Sequence, residues 1–138
     1  MAYSRSATLA AYQSVAIHGG VAAADAHGLI IMLMDGALER IAQARGCLRN
    51  GLKADKNHLI SAAVAIVDEL RCSLDLHTGG AIAANLDDLY EYMCRQLMKA
   101  NLSDRAETLD EVSHLLGEVR SAWIALPAEA RALRPTPR

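Results

Sequence analysis

Between residues 26 and 126, apolar side chains return every three or four positions in four successive runs, and no stretch alternates apolar with polar residues as a strand would. The first run carries Ile30, Leu33, Met34, Ala37, Ile41, Ala44 and Leu48, widened by Ile31, Leu38 and Ala42. A stripe that broad faces more than one neighbour. Asp25 stands where an N-cap belongs, and Asn50-Gly51 is a stop signal, so this run predicts a helix over 26–48. Leu59, Ile60, Ala63, Ile66, Val67, Leu70 and Leu74 predict a second helix over 55–77, stopped by Thr78-Gly79-Gly80. Leu86, Leu89, Tyr90, Met93 and Leu97 give a narrower stripe and a third helix over 83–100, closed by Asn101. Leu109, Val112, Leu116, Val119, Trp123 and Leu126 predict a fourth over 105–126, with Trp123 on the buried stripe and Pro127 at the end.

Helices of roughly 18–23 residues span roughly 27–35 Å each at about 1.5 Å per residue. The connections between them are only a few residues long, which makes sequential helices antiparallel. The fold class that follows is all-α: an antiparallel up-down four-helix bundle over 26–126 with an N-terminal arm or short extra helix. The arm, 1–25, contains Gly19-Gly20 and a possible helix around Thr8–Ile17 on Leu9, Tyr12, Val15 and Ala16. Pro135 and Pro137 mark 127–138 as a disordered tail.

Composition agrees and excludes several partners. The chain is 52% hydrophobic yet only 4% aromatic, with no Phe, so its apolar content is Ala, Leu, Ile, Val and Met, which suits helices. A net charge of −2 leaves no electrostatic footprint for nucleic acid or an anionic membrane. The densest apolar run, Leu29 to Met34, falls far short of the ~20 residues of a membrane span, so direct membrane insertion is not expected. Residues 1–25 lack the apolar core of a signal peptide. Cys47, Cys72 and Cys94 are odd in number and fit neither a disulfide framework nor a zinc site, which points to a reducing, cytoplasmic setting.

Helical bundles can hold metals or a phosphorylatable histidine. Glu111 and His114 have the Glu-x-x-His spacing of di-iron bundles, but a second such motif is missing, so they read as a helix-surface pair. His58 lies too near a helix start for phosphotransfer; His27 and His77 stand at or near helix ends, and His18 in the arm. Asp87, Asp88 and Glu91 read as a solvated acidic face. No phosphate-binding glycine loop and no nucleophile-base constellation is present, so the expectation is a protein that is not an enzyme and carries no cofactor or metal. Met32, Met34, Met93 and Met98 gather on two helices. Two readings of them stand: core filling, or an adaptable surface for an apolar helix.

Several strings resemble the FliS family of flagellar export chaperones. Val21 to His27 resembles the segment before that family's first long helix, and Leu29 to Ala37 is similar to its L-I-x-M-L-x-D-G-A string. Glu69-Leu70, Ser73 to Asp75, Gly79-Gly80, Ile82-Ala83 and Asn85-Leu86 follow the family pattern around a turn. Leu89-Tyr90, Tyr92-Met93, Leu97, Ala100-Asn101, Glu111-Val112 and Ala122-Trp123 continue it. The likeness runs in order over residues 21–126. Ala26 departs from it where a proline is usual, and Tyr12 lies further upstream of Val21 than in many relatives.

The resemblance implies a cytoplasmic chaperone that binds the disordered C-terminal segment of flagellin, prevents premature polymerisation and keeps it competent for flagellar type III secretion. It admits the flagellar export gate and a regulatory co-chaperone as further partners. The client groove it implies lies on the first and third helices, with Ile30, Met34, Asp35, Leu38, Ile82, Asn85, Leu86, Tyr90 and Met93 as contact residues, shared between groove and core. Tyr12 would anchor the arm over that groove. A regulatory adaptor that binds a folded signalling partner is the rival reading, and a cofactor-bearing bundle is the second.

Overall fold

The computed structural model describes residues 26–126, and these form four α-helices: α1 (Ala26–Arg49), α2 (Lys53–Cys72), α3 (Leu76–Ser103) and α4 (Ala106–Ile124). No strand occurs among the described residues. The arm expected over 1–25, with its short helix and Tyr12, lies outside the described residues, as does the tail over 127–138.

α1 packs on α2 and α4, and α3 packs on the same two, so α1 and α3 occupy opposite corners of a square bundle. Cross-links fix the antiparallel register. Arg45 of α1 holds Asp110 of α4 at 2.6 and 3.0 Å. Ten residues back along α1, Asp35 accepts from Arg120, ten residues further along α4, at 2.5 Å. Arg71 reaches Asp87 across α2–α3 at 2.6 Å, and Tyr92 reaches Glu111 across α3–α4 at 2.6 Å. Exposed ion pairs of this kind add little each. Stability comes from the apolar stripes, which meet in one core of fully buried residues such as Leu33, Ile41, Ile60, Leu70, Leu97, Leu109 and Leu116. Burying each such side chain is worth about 1.5–3 kcal/mol. Ala37, Ala44, Ala63 and Ala100 are also fully buried and let the helices approach closely.

The turns show why each helix stops. At the end of α1, Gly51 takes φ +71°, Leu52 N–H bonds Cys47 O at 2.9 Å and Gly51 N–H bonds Leu48 O at 3.3 Å. That is a Schellman closure, which needs the left-handed residue that glycine supplies. The next turn differs from the sequence expectation. α2 ends at Cys72 and not at 77, and the chain reverses over Ser73–Asp75. Asp75 caps α3 by accepting from His77 N–H at 3.1 Å and Thr78 N–H at 3.0 Å. Its carboxyl is held below the usual range, chiefly by the Thr78 backbone bond. Gly79-Gly80 is therefore not the turn between helices. Gly80, at φ +60° and ψ −139°, kinks α3 one turn after its start. A side-chain cap with three bonds, counting Thr78 Oγ1 at 3.0 Å, ends the previous helix more firmly than the glycines do.

The far end of α3 is closed by Asp104, a non-glycine residue at φ +55°, whose N–H bonds Ala100 O at 2.8 Å. Its carboxylate receives the ammonium of Lys56, and Lys53 lies 3.3 Å from its other oxygen. Lys56 Nζ also donates to Asn101 O at 2.8 Å and is buried, an internal clamp on the last turn of α3. Trp123, expected in the core, is only half-buried, because it lies at the bundle end where no further layer covers it. Its indole N–H donates to His27 O at 3.0 Å, while His27 Nε2 bonds Trp123 O at 2.6 Å. The two rings stack at 5.1 Å, clasping the start of α1 to the end of α4.

Candidate functional site

The side chains expected to form a binding groove separate into three groups. Ile30, Met34, Tyr90 and Met93 are buried in the core, so of the gathered methionines Met34 and Met93 are core fillers. Met98 is exposed, on the far side of α3. On α1, Leu38 is half-buried against the core, and Asp35 is exposed and already engaged by Arg120. On α3, Ile82 is 73% exposed, Asn85 is exposed, and Leu86 is half-buried. Because α1 and α3 are diagonal, these residues do not line one trough; α4 runs between the two sets. Tyr12 lies outside the described residues.

What the structure does bring together is a seam along α3 and α4. Ile82, Asn85, Leu89, Tyr92 and Gln96 are spaced by three and four and share one flank of α3. The last two fix where that flank points. Tyr92 Oη donates to Glu111 at 2.6 Å and Gln96 Nε2 donates to the other Glu111 oxygen at 3.2 Å. Glu111 is held below the usual carboxylate range mainly by the Tyr92 bond, and Tyr92 is pushed above the usual phenol range by the same contact. On α4, Leu115, Glu118 and Ala122 continue the Glu111 flank at helical spacing. Leu86, Leu89, Leu115 and Val119 are all only partly covered and rest on the core.

At the polar end the seam is thus bolted by the Tyr92–Glu111–Gln96 network, and toward Ile82 it is apolar and open. Leu76, 53% exposed, and Ile124, 41% exposed, lie at that same end of the bundle. Uncovered apolar surface of this sort marks an interaction site more often than an accident of composition. The sequence reading chose Ile82, Asn85 and Leu86 but not Leu89 or Leu115. The three-four spacing from Ile82 to Gln96 was the available signal for Leu89; that α4 borders it required the fold.

Among the described residues, no group of three or more His, Cys, Asp or Glu side chains could hold a metal ion. No helix among them is long and apolar enough to cross a membrane. Cys94 is pushed up to about 11 by burial, so its thiol stays protonated and acts as packing. Fold and surface together define a helical bundle that offers a long apolar seam on its side.

The chain matches the family described as Flagellar protein FliS over residues 8–130. It is 49% identical over 112 residues to the flagellar secretion chaperone FliSB of Pseudomonas aeruginosa, covering 81% of this chain and 89% of that one. It is 40% identical over 121 residues to the flagellar secretion chaperone FliS of Salmonella typhimurium, covering 87% and 90%. The corresponding protein of Vibrio cholerae is 36% identical over 122 residues, covering 88% and 90%. This chain belongs to the FliS family of flagellar secretion chaperones.

Proposed function

We propose that the protein is a cytoplasmic export chaperone whose client is the disordered C-terminal segment of flagellin, covered until secretion so that it cannot polymerise. The observation that carries this reading is the open apolar seam of α3 and α4 in a chain of the secretion-chaperone family. An amphipathic client segment would set its apolar face on Ile82, Leu86 and Leu89, in the helix-in-groove mode. Asn85 would supply a donor and an acceptor to client backbone that has lost its water. Leu38 and Asp35, on the other side of α4, would meet a client that continues around the bundle, with Tyr12 as an arm contact. Ile30, Met34, Tyr90 and Met93 would support that surface from beneath.

Ordering a disordered segment costs about 2–5 kcal/mol of the gross interaction, which keeps such a complex releasable. The flagellar export gate and a regulatory co-chaperone are the further partners of this reading. Calorimetric titration with a synthetic flagellin C-terminal peptide tests it. Saturable one-to-one binding, absent for a peptide from the flagellin N-terminal segment, is the expected result. No binding of the C-terminal peptide overturns the reading.

A further inference from the structure

The bundle end opposite Ile82 holds a cavity of about 400 Å³ between the end of α1 and the starts of α2 and α4. That is within the roughly 300–1,000 Å³ of small-ligand sites. Its wall is formed by Cys47, Leu48, Gly51 and Ala106, and its rim by basic side chains. Charge on this rim is unevenly answered. Arg45 is satisfied by Asp110. Lys56 and Lys53 share the single carboxylate of Asp104, and Lys53 is three-quarters exposed (75%). Arg49 lines the same cavity and has no carboxylate partner among the described residues.

Backbone polarity adds to the excess. The carbonyl ends of α1 and α3 are closed by bonds from Leu52 N–H, Asp104 N–H and Lys56. The amide ends of α2 and α4 have no side-chain cap, at Leu52 and Arg105 respectively. Those ends carry partial positive charge and favour an anion.

An apolar wall under a cationic rim suits a carboxylate borne on an apolar residue better than a bare ion. We infer that this cavity receives the free α-carboxylate of an apolar peptide terminus, set between Arg49 and Lys53. The inference rests on the reading of the protein as the holder of a client's C-terminal segment, whose last residue would dock here.

The test uses the ¹⁵N-labelled full chain titrated with N-acetyl-leucine, reading the amide signals of Gly51, Lys53 and Ala106. Saturable shifts with a Kd on the order of 1–10 mM are expected for so small a probe. N-acetyl-leucinamide, without the charge, should bind about tenfold more weakly, as should N-acetyl-leucine to Arg49→Ala. Equal shifts from the amide would reduce the site to an apolar cleft and overturn the inference. Equally tight binding of inorganic phosphate would overturn it as well, leaving a general anion site, and so would the absence of any shift. Since the probe is one residue, its failure is separable from failure of the flagellin peptide titration.

Discussion

Replacing Lys56 with Met tests whether a buried cation secures the α2–α3 end of the bundle. The lysine is 2% exposed and bonds both Asn101 O and the Asp104 carboxylate. Methionine keeps most of the aliphatic stem, so no large cavity opens and the cost is mainly polar. A hydrogen bond from a charged donor is worth about 1.5–3 kcal/mol, and the Asn101 carbonyl loses one. Asp104 forfeits less, because it keeps Lys53 at 3.3 Å and is itself 29% exposed. The expected loss is about 2–3 kcal/mol in urea unfolding followed by circular dichroism at an unchanged m-value. In a domain of this size that corresponds to a fall in Tm of ~8–15 °C. The same variant has a pH signature. Asp104 is held below the usual carboxylate range, chiefly by its bond to Lys56. A folded pKa below the unfolded value of about 3.9 gives stability that is complete at neutral pH and lost as pH falls through the folded value. In Lys56→Met that acid-dependent loss should shrink. A destabilisation below ~1 kcal/mol with an unaltered acid limb would refute the clamp.

Ile82→Asp and Asn85→Ala should leave stability within about 0.5 kcal/mol, because both residues are exposed, yet weaken flagellin-peptide binding by about 1–3 kcal/mol in calorimetry. Unchanged affinity in both would remove them from the client surface. Gly80→Ala should cost about 1–3 kcal/mol, because a Cβ there meets no neighbour but its backbone sits at φ +60°, ψ −139°, where L-residues are strained. A neutral effect in chemical denaturation would show that the kink relaxes. Trp123→Ala should cost about 2–3 kcal/mol, less than the ~3–5 of a fully buried indole, since half the contact is the stack on His27. Trp123 is the single tryptophan, so His27→Ala should red-shift the intrinsic fluorescence; an unmoved emission maximum would argue against the clasp.

The four helices and their antiparallel order were legible in the sequence because helical periodicity is local: Ile41 and Leu109 are placed by neighbours three and four residues away. The Asn50-Gly51 stop was legible for the same reason, being a closure within one turn. The reversal at Asp75 was misplaced because an aspartate cap and a glycine pair compete within five residues, and only the formed bonds to Thr78 decide between them. Lys56 carried a signal that went unread, since it stands four residues before Ile60 on the stripe of α2. Its partner, Asp104, is 48 residues away.

The binding surface divides the same way. Apolar character at Ile82, Leu86, Tyr90 and Met93 is a property of the sequence, but whether each faces core or solvent depends on how α2 and α4 flank α3. Burial of Tyr90 and Met93 and exposure of Ile82 were settled by that packing. Likewise, the sequence set the breadth of the α1 stripe, while the square arrangement put α4 between α1 and α3. Periodicity acts over one turn of helix, so a sequence can write it; adjacency between helices is chosen by packing the whole core at once, so only the tertiary structure could decide it.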